Sequence, residues 1–141
     1  MLCWRPVEEA VRAWAGGRGE GGPRWRAITA KRLSAMDMWE RRGHLYQVAR
    51  NNLQTLEAIV RWNHAHGIDL FRITSDLIPL ATHPVAAGWD WEEDLAYEFA
   101  VVARLAREVG ARLTMHPGQY TVLNAPDPAV VERAVADLEY H

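Results

Sequence analysis

Cysteine is almost missing: Cys3 is the only one in 141 residues. No internal disulfide can form, and no metal site can be built from several thiolates. That fits a reducing, cytoplasmic setting. Long apolar runs are missing too. None approaches the roughly 18–20 residues that a membrane-crossing helix needs. The start, "MLCWRPVEEAVRAWAGG", has charges within its first ten residues, so it does not read as a secretory signal. An excess of positive charge is lacking over most of the chain. Residues 44–141 hold seven Lys/Arg against thirteen Asp/Glu. Such a body does not advertise nucleic-acid binding. Residues 1–43 are the opposite, with nine Lys/Arg against five Asp/Glu.

What is present divides at about residue 30. Residues 1–30 are rich in Gly, Trp and Arg, and five of the ten glycines fall in residues 16–22. "PVEEAVRAWA" predicts a short helix with Pro6 in its first turn, followed by a flexible or disordered connection. Residues 31–141 read as one domain, long enough for a sizeable core.

From residue 44 the periodicity is clean. Leu45, Val48, Leu53, Leu56, Ile59 and Val60 share one side of a helix that ends at Gly67. "IDLFRIT", residues 68–74, predicts a buried strand. Asp90 and Glu93 make a capping-box variant ahead of a helix running to Gly110. "ARLTM", residues 111–115, predicts a second strand. Asp127 and Pro128 then start a last helix, as cap and first-turn proline. This is a βαβα order, so the strands should be parallel with helices outside them. The loops leaving the strands are long, about 11–15 residues, and the returns at Gly67 and Gly110 are short. Chemistry in α/β folds sits on loops that leave strand C-termini.

Two histidines stand in those loops. His83 lies in "ATHP" and His116 in "TMHP". On parallel neighbours both imidazoles emerge at one rim, which is a start for a divalent metal site. Backbone capping of two strand ends explains them about as well. Two ligands are too few, and no third is compelling; Asp76 stands early in its loop. His64 and His66 sit in a last helical turn, where the dipole favours them as caps. Gln119 and Tyr120 follow a Pro-Gly turn that pushes them outward. An amide beside a phenol can probe a base stack or simply pack on the surface.

"LFRITSDLIPLATHP" together with "RLTMHPGQYTVLNAPDPAVVERAVADLEYH" closely resembles the UV damage endonuclease family, with "ARNNLQTLEAIVRWNHAHGI" adding to the match. The resemblance covers about residues 31–141. It implies a (β/α)8 TIM barrel of the endonuclease IV and xylose isomerase kind, present here in part. It implies a cluster of divalent metals, typically manganese, at the C-terminal rim. The substrate implied is double-stranded DNA carrying UV lesions, hydrolysed immediately 5′ to the photoproduct. On that pattern His116 is a metal ligand, and His83 is a catalytic residue that also meets the metals. Gln119 and Tyr120 probe the DNA at the lesion. The family's opening R-L-G-Y strand has no counterpart in residues 1–30, and the later Glu, Asp and His ligands are not here. The expectation is a truncated or split product, completed by other strands or by a second chain. The alternatives are a metal-dependent sugar isomerase or epimerase of the same barrel superfamily, and a non-catalytic remnant.

Overall fold

A computed structural model describes residues 24–118 and 121–141. The helix expected in residues 6–15 lies outside the described residues.

The chain enters along residues 24–28, which run beside the long helix and bond to its side chains. Asn51 Nδ2 and Thr55 Oγ1 both donate to the Arg24 carbonyl, at 2.9 and 3.2 Å. Asn52 accepts from the Arg26 N–H at 2.7 Å and donates to the Arg26 carbonyl at 3.0 Å. Trp25 and Ile28 pack against the core.

Helix α1 spans Ala30–Ser34, capped by the Thr29 hydroxyl, with Leu33 fully buried beneath it. Helix α2 spans Met38–Ala65. It begins a turn and a half before the expected start, because Asp37 accepts from the N–H groups of Trp39 and Glu40. Its apolar stripe holds the core together: Leu45, Ala49, Leu53, Leu56 and Val60 are each at most 1% exposed. His66 is its C-cap and donates through Nδ1 to the Trp62 carbonyl at 2.7 Å. Gly67 follows in the left-handed conformation that ends the helix, φ +69°.

Strand β1 is Leu70–Arg72 and β2 is Arg112–Thr114, paired in parallel as Leu70↔Arg112, Phe71↔Leu113 and Arg72↔Thr114. The expected parallel order is observed, but both strands are shorter than expected. Each has a neighbour on one side only among the described residues, so the ladder gains just the flanking bonds Ile73 N–H to Thr114 O and Arg112 N–H to Asp69 O. Phe71 and Leu113 point towards the helices and pack on the core. The other face is uncovered: Leu70 is 57% exposed, and Arg72 and Arg112 are exposed.

The helix expected over residues 91–109 is broken. Helix α3 is Trp91–Asp94 and α4 is Ala96–Val109, with Leu95 at φ −111° between them. Leu95 is fully buried, and Asp94 is held from two sides: Arg42 grips its carboxylate at 2.8–3.1 Å and Trp89 Nε1 donates to it at 2.8 Å. These bonds tie the first turn to α2 and to Trp89. Helix α5, Pro128–Tyr140, starts as expected with Asp127 accepting from the Ala129 N–H. The result is an α/β arrangement, with α2 and α4 packed together over one face of the parallel pair. None of the described helices is long and apolar enough to cross a membrane.

Candidate active site at the strand rim

The parallel register puts the C-terminal ends of β1 and β2 side by side, so His116 and the loop bearing His83 leave one edge. The two rings are held differently. His83 caps the single 3-10 turn Pro84–Ala86: its Nδ1 accepts from the Val85 N–H at 3.0 Å. An accepting Nδ1 carries no proton, so the neutral ring presents its N–H at Nε2. His116 Nδ1 lies 2.7 Å from the Pro117 carbonyl oxygen. A carbonyl only accepts, so here Nδ1 is the donor and Nε2 keeps a free lone pair. A donor bond of this kind on the far nitrogen is what orients a metal-binding imidazole. Both rings are exposed.

The loop ahead of His83 is turned sharply at Leu80, a non-glycine residue at φ +58°. Its carbonyl accepts the His83 N–H at 2.9 Å. The left-handed backbone costs about 1 kcal/mol and aims the chain that His83 follows.

A cleft of about 620 Å³ opens beside this loop, bounded by Asp76, His83, Gly118, Arg133, Asp137 and Tyr140. His83 is therefore on the cleft; His116 is not among its lining residues. Gln119 and Tyr120 lie outside the described residues. Among the described residues no three of His, Cys, Asp and Glu stand close enough to hold a metal ion. One ligand-ready imidazole, His116, fits a divalent cation; a complete site is not formed by these residues.

The cleft's far wall escaped the sequence reading. It comes from α5, which folds back so that the Tyr140 hydroxyl accepts the Ile78 N–H at 3.0 Å. Asp137 accepts from the Thr121 hydroxyl on the same wall. Burial drives the Tyr140 phenol up to about 12, only partly opposed by the Ile78 bond and reinforced by Asp76 and Asp137. The sign follows directly. The unfolded chain releases this proton near its ordinary value of 10.0, whereas the folded chain keeps it until about 12. The stabilisation is complete below the lower value and is lost as pH rises through the upper one. Tyr140→Phe is expected to remove that alkaline loss. It also leaves the Ile78 N–H without its acceptor, at about 1–2 kcal/mol near neutral pH. Urea midpoints for the two proteins from about pH 8 to 12 test this. Parallel alkaline losses in both would show that another group carries the effect.

Comparison with known proteins follows the same outline. The family model described as UV-endonuclease UvdE matches residues 19–141. The chain is 32% identical over 135 residues to the UV DNA damage endonuclease of Bacillus pumilus, a match covering 96% of this chain and 40% of that protein. It is 41% identical over 96 residues to the UV-damage endonuclease of Schizosaccharomyces pombe, covering 67% of this chain and 16% of that one. A solved structure titled "Crystal Structure of SacUVDE" superposes with a TM-score of 0.74 at 34% identity, over 85% of this chain and 39% of that one. The chain thus spans no more than about 40% of the length of these relatives. With a match over nearly its whole length, and with both His-Pro loops on one edge of a parallel pair, the chain belongs to the UV-endonuclease UvdE family.

Proposed function

We propose that this chain carries the β1–β2 rim of a UV damage endonuclease, as part of a (β/α)8 barrel. The observation behind this is the pair of parallel strands, each sending a His-Pro into a long loop at the same edge, in a chain of this family. The uncovered sheet face supports the barrel reading, since a barrel strand needs a neighbour on each side and side chains across its interior. Among the described residues, β1 and β2 are two of the strands that such a barrel needs.

The proposed reaction is hydrolysis of the phosphodiester immediately 5′ to a UV photoproduct in double-stranded DNA. Oxygen from water bonds to phosphorus, the bond to the 3′-oxygen breaks, and that oxygen takes up a proton. His116 offers Nε2 to a divalent metal, manganese in this proposal. A divalent cation held there would supply polarisation of the phosphate and a more acidic attacking water. His83 offers its Nε2–H to a phosphate oxygen; it becomes a metal ligand only in the other tautomer, which gives up the Val85 bond. Gln119 and Tyr120, which follow Pro117-Gly118 in the sequence, are the residues proposed to read the lesion.

Lesion reading needs no completed metal site, so it is the property to measure. The chain is expected to bind a UV-irradiated duplex about tenfold more tightly than the same duplex unirradiated, by fluorescence anisotropy. Opening an intact step costs a few kcal/mol and a damaged one less, which leaves room for that ratio. Equal affinities would overturn the proposal.

A further inference from the structure

Residues 24–42 carry an excess of positive charge, and α1 within them packs against the turn that His83 caps. They hold Arg24, Arg26, Lys31, Arg32, Arg41 and Arg42 against Asp37 and Glu40. Two of these cations are already engaged. Arg42 is bidentate on Asp94. Arg41 donates to the carbonyls of Leu33, Met36 and Val85 at 3.1–3.5 Å. Arg41 therefore bolts α1 to α2 and to the turn that His83 caps. Lys31 and Arg32 project from α1 into solvent and form no ion pair among the described residues. Their helix is anchored by Leu33, which is fully buried. Met38 and Trp39 stand nearby at the start of α2, 66% and 73% exposed. They edge a small hollow of about 170 Å³ whose other walls include Val85 and Trp89.

We propose that Lys31, Arg32 and Trp39 form a landing surface for the backbone of duplex DNA flanking the scissile bond; this rests on the endonuclease reading above. Residues 44–141 carry a net charge of −6 and repel a polyanion, so a duplex must be held where cations gather. Among the described residues two free cations, Lys31 and Arg32, stand side by side on α1, and α1 touches the turn that His83 caps. Fixed, solvated cations neutralise phosphates and release counterions without first breaking an ion pair. The Trp39 ring supplies a flat apolar face for the adjoining sugars or an unstacked base.

The test is anisotropy binding of a short undamaged duplex across a salt series. For K31A/R32A the affinity is expected to fall about tenfold or more near 0.1 M salt, and the log–log salt slope to become shallower by about 1.8. Trp39→Ala is expected to cost about fivefold or more with the slope unchanged. The charge-matched control is R104A/R107A on α4, whose end at Gly110 leads into β2 from the opposite edge. That pair is expected to leave affinity within about twofold and the salt slope unaltered. Equal losses in both double variants would mean bulk charge alone, and the surface would be wrong. Unchanged binding by K31A/R32A would overturn the surface while leaving preference for irradiated duplex as a separate question. A wild-type chain that binds no duplex would overturn the surface and the proposed function together.

Discussion

Asn52→Leu is expected to lower the unfolding free energy by about 2–4 kcal/mol, although the two side chains have the same number and branching of heavy atoms. Asn52 is 1% exposed and joins three segments. Its Oδ1 accepts the Arg26 N–H at 2.7 Å, and its Nδ2 donates to the Arg26 carbonyl at 3.0 Å and to the Leu77 carbonyl at 3.2 Å. Leucine has the same branching but more bulk, and it loses every one of these bonds. The Leu77 carbonyl is left in a buried setting, where a missing partner costs about 1–3 kcal/mol. Arg26 lies at the surface, so water repairs part of the damage there once residues 24–28 lift away. At about 1–2 kcal/mol per molar urea, the midpoint should fall by roughly 1–4 M. Hydrogen exchange should quicken at the Arg26 N–H beyond the global change. Asn51→Ala, which removes one half-exposed bond to Arg24, is expected to cost under about 1 kcal/mol. A loss of less than about 0.5 kcal/mol in Asn52→Leu would show that the three segments are held by apolar packing instead.

Asn52 also shows how much the sequence discloses. It stands inside the stripe of Leu45, Ala49, Leu53 and Leu56, where a polar residue on an apolar helical face signals a buried network. What it bonds to is not local: Arg26 and Leu77 are 26 and 25 residues away. The start of α2 carries a local signal, but a contradictory one. Asp37-Met-Trp-Glu40 has the same D-x-x-E pattern as Asp90–Glu93, but the turn after it exposes Met38 and Trp39 and breaks the apolar period. The break at Leu95 has no Gly or Pro to announce it. What accompanies it is not local: Asp94, beside the break, bonds to Arg42, 52 residues earlier. The caps at Asp90, Asp127, Gly67 and Gly110 were readable because each uses bonds within four residues. The rim was readable for the same reason, since a strand end and the histidine after it are neighbours in sequence. The wall made by α5 was not, because it depends on Tyr140 finding Ile78 across 62 residues.

The sharpest consequence of the rim geometry is that its two histidines should not behave alike towards metal. His116→Ala is expected to cost at least 10- to 100-fold in affinity for Mn2+, the range that loss of a mere supporting bond already produces at such sites. His83→Ala is expected to leave that affinity within about twofold. The difference lies in which nitrogen each backbone partner occupies. The Pro117 carbonyl takes a proton from His116 Nδ1 at 2.7 Å and leaves Nε2 as a bare lone pair. The Val85 N–H at 3.0 Å fills the lone pair of His83 Nδ1 and leaves its proton on Nε2. A cation binds a lone pair and is repelled by an N–H, so only His116 is prepared in advance. Free Mn2+ measured by electron paramagnetic resonance during titration of the three proteins decides the matter. Equal losses in both variants would place both imidazoles on the metal and require the His83 ring to abandon its cap. No loss in either would remove the metal from this rim and leave His116 as a capped strand end.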